Sequence, residues 1–312
     1  MNLSAQARQL IAEQQKNWEL ARQNYAGLKS VQTRKLAFDG FDITVQFNPE
    51  RIRSSAAKVD AGSIEARPCF LCPHHRPAAQ KSIPVLGKYD LLVNPYPIFP
   101  EHLTIVHIDH IGQLIAAHFW DMLDLARMLE EFTVFYNGPK CGASAPDHLH
   151  FQAGNKGFLP MEWDFKKGSF FQDARTKNGM DMIRWTAYLR PVFTLSGKNK
   201  EQLVEAFMRF YHEMEALQSH EPEPMLNIIA WCRAGRWTIH MFPRKLHRPW
   251  QYFETGEKQI VFSPASVDMG GVIILPREED YRSITMADVQ DIYGQVCLDE
   301  QHVRHCALVV MD

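Results

Sequence analysis

The chain has 312 residues, 46% of them hydrophobic and 22% charged, with a formal net charge of -2. That composition predicts a soluble globular protein with room for one large body or two packed halves, and it gives no reason to expect nucleic acid or an anionic membrane as partner. No apolar run approaches the roughly 20 residues that span a bilayer, and the N-terminus lacks the apolar core of a secretion signal. Of the six cysteines only Cys69 and Cys72 are close in sequence, so the expected setting is a reducing cytoplasm.

In chain order, residues 4–26 carry Ala7, Leu10, Ile11, Trp18, Ala21 and Tyr25 near a 3.6-residue period, which predicts an amphipathic helix. Asp39-Gly40 between KLAF and FDITVQF predicts a hairpin. Residues 49–85 hold RPCFLCPHHRP and few periodic apolar positions; an irregular segment that long calls for function or a metal. Tyr89–Val93 and Leu103–Ile108 have strand length, and the proline-rich NPYPIFPEH between them forbids regular structure. Residues 111–136 give the longest helical pattern, with Leu114, Phe119, Met122, Leu123, Met128, Leu129 and Phe132 as candidate core, ended by Asn137-Gly138-Pro139. The loop KCGASAPD leads into the strand HLHFQ.

After a polar stretch at 154–180, strands are predicted at Arg184–Thr194, Leu226–Trp231, Trp237–Phe242, Gly271–Leu275 and Ala307–Met311, and helices at 200–217 and 285–298. The turn at 233–236 makes 226–242 a hairpin. The pattern of strand, charged turn and helix at 271–298 echoes 103–136. The predicted class is α+β, an antiparallel sheet with packed helices in two related halves. The expected organisation is an N-terminal helix and hairpin extension over 1–60, a catalytic half over 61–160 and a second half over 161–312.

HLHFQ carries the chemistry. In a strand, His148, His150 and Gln152 share one face while Leu149 and Phe151 face the core. A neutral imidazole is a competent nucleophile near pH 7 and can displace a phosphorylated group from an α-phosphorus. Gln152 can donate its NH₂ to a non-bridging phosphoryl oxygen without supplying a titratable proton. Backbone N–H groups of Gly142-Ala143-Ser144 can approach the same oxygens. The bland alternative is a polar strand face with two ordinary histidines.

Cys69-Phe-Leu-Cys72 is a zinc-type spacing that needs two further ligands, and no second CxxC exists. His74 or His75 could complete it; a redox pair or two unrelated buried thiols are the alternatives. Read by themselves, Asn137 ends a helix before Gly-Pro and Ser144 stabilises a turn. Arg244, His247 and Arg248 form a basic cluster that could hold the second substrate's phosphate, or a surface charge run. Lys156 and Arg277 carry the same ambiguity, and Trp163, Trp185, Trp231, Trp237 and Trp250 are assigned to the core.

GASAPDHLHFQ resembles the active-site strand of the histidine-triad superfamily, in the branch with H-x-H-x-Q that includes galactose-1-phosphate uridylyltransferases, diadenosine tetraphosphate phosphorylases and GDP-L-galactose phosphorylases. NPYPIFPEHLTIVHIDH resembles that family's nucleotide-binding strand pair, while LNIIAWCRAGRWTIHMFPR and MGGVIILPREEDY resemble the second half of GDP-sugar phosphorylases. The resemblance covers roughly residues 67–298. It implies that His150 carries the nucleotidyl group with Gln152 beside it, that Asn94 lies near the nucleotide, that Asn137 and Ser144 contact phosphate, and that a structural zinc is held by Cys69, Cys72, His110 and His148. It further implies a nucleotidyltransferase or phosphorylase acting on a GDP-hexose-like nucleotide-sugar, with phosphate or a sugar phosphate as acceptor and a homodimer as possible assembly. A dinucleoside polyphosphate (Ap4A-type) phosphorylase and a non-catalytic nucleotide-binding protein of the same fold are the alternatives. Asp147 stands where uridylyltransferases have proline, which argues against a plain galactose-1-phosphate uridylyltransferase. The residues do not name the base, the sugar or the acceptor.

Overall fold

A computed structural model describes residues 2–52 and 60–312. The chain opens with helices α1 (Leu3–Asn17) and α2 (Glu19–Gly27), then the hairpin β1 (Gln32–Phe38) and β2 (Phe41–Phe47), and α3 (Ala61–Glu65). Next come β3 (Ser82–Val85), β4 (Tyr89–Val93), β5 (His102–His107), α4 (Phe119–Met128), β6 (Phe132–Asn137) and β7 (His150–Asn155). The second half holds α5 (Pro160–Lys167), β8 (Phe171–Lys177), β9 (Met180–Trp185), β10 (Phe193–Gly197), α6 (Lys200–Leu217), β11 (Leu226–Arg233) and β12 (Arg236–Pro243). It closes with α7 (Ser266–Met269), β13 (Val272–Leu275), α8 (Glu278–Ser283), α9 (Met286–Val296) and α10 (Glu300–Met311).

Ten strands form one antiparallel sheet in the order β3-β4-β5-β7-β6-β11-β12-β10-β9-β8. From either edge inward the order is the same: three consecutive strands, then the second strand of a β-β pair, then its first. A helix sits between the third and fourth strands of each set, α4 in one and α6 in the other. The two sets meet where β6 pairs with β11, Asn137 opposite Asn227. This is an α+β fold built of two topologically matching halves. A separate three-stranded sheet, β1-β2-β13, sets the N-terminal hairpin beside the C-terminal segment, with β2 and β13 parallel.

The pleat divides the large sheet into two faces. Leu149, Phe151 and Ala153 enter the core shared with Phe119 and Met122 of α4 and Leu203 and Phe207 of α6. The opposite face carries Phe135, Ile229, Trp231 and Phe242, packed against residues of α5, the small sheet, α7 and α9.

Local chemistry accounts for the boundaries. Asn2 and Asn199 cap α1 and α6 by accepting from Ala5 N and Gln202 N, each at 2.9 Å. Ala234 and Gly235 at φ 50° and 72° make the two-residue turn of the β11–β12 hairpin, in which both central residues are left-handed.

Several expected elements differ. The single helix over 4–26 is two helices, broken where Trp18 turns extended at φ -120° and ψ 109° to bury its indole. The helix over 111–136 is confined to α4, and Phe132–Asn137 is a strand; FTVFYN is aromatic and β-branched, and it pairs with β7 and β11. Leu114 and Met128 are consequently exposed. The strand over Arg184–Thr194 is two strands joined by a turn in which Ala187 and Leu189 take positive φ. The polar stretch after 154 contains α5 and β8. Ala307–Met311 ends a helix: Asp299 caps it, and Val303, Cys306, Ala307 and Val310 are buried at helical spacing. Gly271–Leu275 yields β13, which joins the small sheet and does not repeat β5 in the large one. The irregular 49–85 segment contains short helical turns, α3 and β3, with 53–59 lying outside the described residues.

Candidate active site

The strand β7 is central in its half, between β5 and β6, with Gln152 opposite Thr104 on one side and Phe135 on the other. Its entry is clamped by Gln113, whose side chain is buried. Gln113 Oε1 accepts from His150 N at 2.8 Å, and its Nε2 donates to the carbonyls of His150 and Asn137 at 3.0 and 2.9 Å. Gln113 thereby ties the loop before β7 to the end of β6. Tyr136 OH bonds the Gln113 carbonyl and Glu223, extending the clamp into β11's approach.

Beside this strand lies a cavity of about 420 Å³, within the range of small-molecule sites. His150, Gln152, Asn94, Thr104, Asn137 and the Gly142-Ala143-Ser144 loop line one side. Trp18 and Arg51 of the N-terminal region, Phe70 and Leu71 of the CxxC segment, and His247, Arg248, Asp268 and Ile274 of the second half complete it. Gly142 is held at φ 93°, and a Cβ there would fall 2.5 Å from the Ala265 Cβ, so the loop lies against α7 only because the residue is glycine. Among the described residues no acceptor takes the N–H groups of Gly142, Ala143 or Ser144.

The protonation of His150 follows from its contacts. Its Nδ1 lies 2.8 Å from the His148 carbonyl. A carbonyl only accepts, so Nδ1 is the donor and Nε2 keeps its lone pair. Burial holds the ring neutral, its pKa pushed down to about 4. A neutral imidazole with bare Nε2, on a cavity wall, is the nucleophilic form.

Gln152 sits two residues on. Its Oε1 is 3.0 Å from His102 Nε2 and 3.4 Å from Asn94 Nδ2. Asn94 is fixed by its other contacts: Oδ1 accepts from Tyr96 N at 2.9 Å and Nδ2 donates to Thr104 Oγ1 at 3.1 Å. Asn137 is buried; its Oδ1 accepts from Ser266 N at 2.8 Å and Asn227 Nδ2 at 3.0 Å, pinning β6, β11 and α7 together at the cavity floor.

The basic residues separate into two groups. Arg244 was expected to contact substrate, and the structure corrects this. It is fully buried, and all five of its N–H donors are taken: Nε by Val296 O, one amino group by Asn227 Oδ1 and Pro264 O, the other by Leu246 O and His247 O. It knots the 244–264 loop to β11 and has no donor left for a phosphate. Arg248 and His247 of the same cluster do reach the cavity. Burial, with Arg248 and Arg244 nearby, holds His247 neutral, its pKa pushed down to about 3. Lys156 donates to Cys232 O at 2.8 Å, away from the cavity lining. Arg277 donates to the Asp280 carboxylate through Nε and Nη2 and to Gln259 Oε1 through Nη1.

The CxxC finds its partners across the fold. One donor atom from each of Cys69, Cys72, His110 and His148 lies within 4.8 Å of the others. His148 Nδ1 is 3.2 Å from Cys69 Sγ and 3.6 Å from Cys72 Sγ, and His110 Nδ1 is 3.2 Å from Cys72 Sγ. Donors around tetrahedral zinc lie roughly 3.3–3.8 Å apart, given Zn–S near 2.3 Å and Zn–N near 2.0 Å. His148 Nε2 donates to the His107 carbonyl at 2.8 Å, which fixes the tautomer and leaves Nδ1 for a metal. His74 is not in this group, and His75 Nδ1 turns to the Cys69 carbonyl at 3.0 Å.

By register the second half has His240 where the first has Gln152: it lies on β12 opposite Thr194 and Ile229, as Gln152 lies opposite Thr104 and Phe135. Its Nδ1 is 2.7 Å from Thr194 Oγ1, and Trp231, Phe165 and Trp185 pack around its ring. Aromatic packing occupies the space that the first half leaves open.

Sequence reasoning missed Arg51, His102, Gln113 and Trp18. His102 had a signal, since it begins β5 within the quoted NPYPIFPEH segment. Gln113 stands at the start of the stretch read as the 111–136 helix, where nothing sets it apart, and Arg51 stands in a segment with no periodicity to mark it.

Two family models match the chain: a domain of unknown function (DUF4922) over residues 10–155, and the GDPGP1-like, C-terminal domain over residues 168–312. Protein APA1 of Saccharomyces cerevisiae is 28% identical over 153 residues, which are 46% of this chain and 41% of that protein. The chain thus spans about two-fifths of the length of the curated relative it matches. The fold is that of yeast Ap4A phosphorylase Apa2. The Apa2 structure in complex with AMP aligns over 95% of this chain and 97% of its own, at TM-score 0.60 and 17% identity. The complex with Ap4A aligns over 90% and 97%, at TM-score 0.57 and 17% identity.

Proposed function

We propose that this chain, similar to the GDPGP1-like C-terminal domain and to yeast APA1 and with the fold of Apa2, transfers a nucleoside monophosphate through a covalent bond to His150. The observation that carries this is the His150 ring on the cavity wall, its Nδ1–H given to the His148 carbonyl and its Nε2 bare.

In the first step Nε2 attacks the α-phosphorus. A P–N bond forms, the P–O bond to the leaving group breaks, and the phosphorylated product departs with that oxygen. In the second step an oxygen of inorganic phosphate or of a sugar phosphate attacks the same phosphorus, and the P–N bond breaks to free His150. Gln152 and the N–H groups of Gly142-Ala143-Ser144 stabilise the charge that builds on the non-bridging oxygens. Arg51 and Arg248 border the cavity from opposite parts of the chain and balance the anionic groups. Asn94 and Asn137 shape the nucleotide side. Gln152 provides no proton for a poor leaving group, so phosphorylated leaving groups and acceptors are favoured over hydrolysis.

The preferred substrate is a GDP-hexose-like nucleotide-sugar, supported by the GDPGP1-like match over the C-terminal half. An Ap4A-type dinucleotide is the second reading, supported by the Apa2 fold. The chemistry sits in the 61–160 half, with 161–312 and the 1–60 extension completing the cavity walls. A cytoplasmic setting fits a thiol pair kept reduced; among the described residues no helix is long and apolar enough to cross a membrane. A homodimer remains part of the proposal through the family resemblance alone.

Cys69, Cys72, His110 and His148 have the donor set for zinc. Four protein ligands leave no open position, so its contribution is to fasten the CxxC segment to the start of β7.

The test is a panel of GDP-, UDP- and ADP-sugars and Ap4A, each with inorganic phosphate. A nucleoside diphosphate released with a sugar phosphate, or with ATP from Ap4A, is the expected product. An acid-labile label on His150 from α-³²P substrate is the expected intermediate. Wild-type enzyme that turns over none of the panel and takes no label would overturn the proposal.

A further inference from the structure

The amide of Gln152 has two ends, and only one serves a phosphoryl oxygen. Its NH₂ must face the cavity. An amide turned about its terminal torsion would present a carbonyl to the anion and repel it. Something in the fold has to choose between the two.

The hydrogen bonds around β5 make that choice. The backbone N–H of Ile98 donates to His102 Nδ1 at 3.1 Å, so Nδ1 is an acceptor without a proton. A neutral ring with bare Nδ1 carries its proton on Nε2. That Nε2 stands 3.0 Å from Gln152 Oε1 and donates to it. Asn94 Nδ2 adds a longer contact to the same oxygen, at 3.4 Å, from an amide whose own orientation is set by Tyr96 N. Two donors thus converge on Oε1, and among the described residues no protein acceptor takes the NH₂.

We infer that His102 is a positioning residue that fixes the amide polarity of Gln152, so that its NH₂ faces the α-phosphate at His150. The inference rests on the proposed nucleotidyl transfer and goes beyond it, because His102 contacts neither the phosphorus nor the leaving group.

The site keeps His102 in the required form. It is fully buried, and Tyr25 OH donates to its carbonyl at 3.0 Å. The rings of Phe99 and Phe135 pack on the imidazole at 5.2 and 6.1 Å. Burial and the nearby Arg51 charge both resist protonation, holding its pKa near 3. Protonation would place a cation beside Arg51 and break the Ile98 bond. The chain from Ile98 N–H through the imidazole to Gln152 is therefore polar in one sense only.

The experiment compares single-turnover nucleotidylation of His150 by α-³²P-labelled GDP-hexose and Ap4A in five variants. His102→Ala should slow the step about 10- to 100-fold, the scale of a mispresented oxyanion donor, with little change in KM. His102→Gln keeps an N–H donor near the Nε2 position and should recover to within about threefold of wild type. His102→Glu presents only acceptors, draws the Gln152 NH₂ inward, and should be slower than His102→Ala. In the double variant His102→Ala/Gln152→Ala, the loss should equal that of Gln152→Ala alone, because one residue acts through the other. Multiplying losses, or His102→Ala at the wild-type rate, would overturn the inference. Nitrogen-15 NMR of His102 gives a readout apart from activity: the expected signature is a protonated Nε2 and a bare Nδ1 at neutral pH, and the reverse tautomer overturns it as well. If wild-type enzyme takes no label, the proposed transfer fails, and the tautomer measurement still decides the orientation of Gln152.

Discussion

His148 holds His150 through its backbone while its ring belongs to the cysteine cluster: the carbonyl takes the His150 Nδ1–H at 2.8 Å, and Nδ1 of the same residue lies 3.2 Å from Cys69 Sγ. One residue therefore joins the CxxC segment to the orientation of the His150 ring. Alternation along β7 makes this possible, with core residues Leu149 and Phe151 interleaved between the polar ones.

The first prediction concerns the proposed nucleophile. His150→Ala should reduce nucleotidyl transfer at least ~10³-fold and abolish the acid-labile label. The ring faces a cavity on one side, so stability should change by no more than about 1–2 kcal/mol in urea unfolding. Labelled and active His150→Ala protein would show that another group carries the nucleotide.

The second concerns the metal. Purified protein should contain about one zinc per chain by elemental analysis, and Cys69→Ser or Cys72→Ser should lose it. Melting temperature should fall in both variants, because the segment that gives Phe70 and Leu71 to the cavity is no longer held to His148. Turnover should fall with it, since a released His148 no longer presets the His150 ring. Metal-free wild-type protein that melts and turns over normally would remove the zinc from the scheme.

The two arginines of the 244–248 cluster should behave oppositely. Arg244→Met strips partners from Asn227 Oδ1 and four carbonyls, and should cost roughly 3–5 kcal/mol of stability. Arg248→Ala should leave the melting temperature within about 2 °C and raise KM for the anionic substrate about 10-fold, as a removed phosphate contact does. A stable Arg244→Met with raised KM would return that residue to the substrate site.

The contrast between these arginines shows what was legible in the sequence. Residue type and local period located β7, the hairpin over 226–242 and the CxxC, because each is a contiguous pattern with its own chemistry. The apolar residues of FTVFYN continue the helical spacing that precedes them; pairing with β7 and β11 on both sides decides the segment as strand. Arg244 and Arg248 look alike in FPRKLHRP, and only the carbonyls that converge on one of them tell them apart. The candidate ligands His110 and His148 lie dozens of residues from the cysteines, and nothing in spacing joins them. Arg51 reaches the cavity from an extension that sequence left unplaced, and it does so because β2 and β13 pair in a sheet of their own.

The last prediction is a pH dependence specific to His102. Its folded pKa is pushed down to about 3 by burial and by Arg51, from an ordinary value near 6.5. As pH falls below about 6.5 the unfolded chain binds a proton there that the folded chain refuses, so this residue's contribution to stability is present above that pH and is lost progressively down to about 3. The limiting slope for one such group is roughly 1.4 kcal/mol per pH unit. Glu223 and Asp268, raised by burial to about 7, act with the opposite sign, their contribution being lost as pH rises from the ordinary carboxylate range to about 7. They and the other buried histidines are present in both proteins compared and cancel in the difference. Wild-type protein should therefore lose more stability than His102→Gln between pH 6.5 and 4.5, measured as urea midpoints at matched ionic strength. Parallel curves for the two proteins would mean that His102 titrates in the folded state as it does in the unfolded one, and that the imidazole is not held in its neutral form.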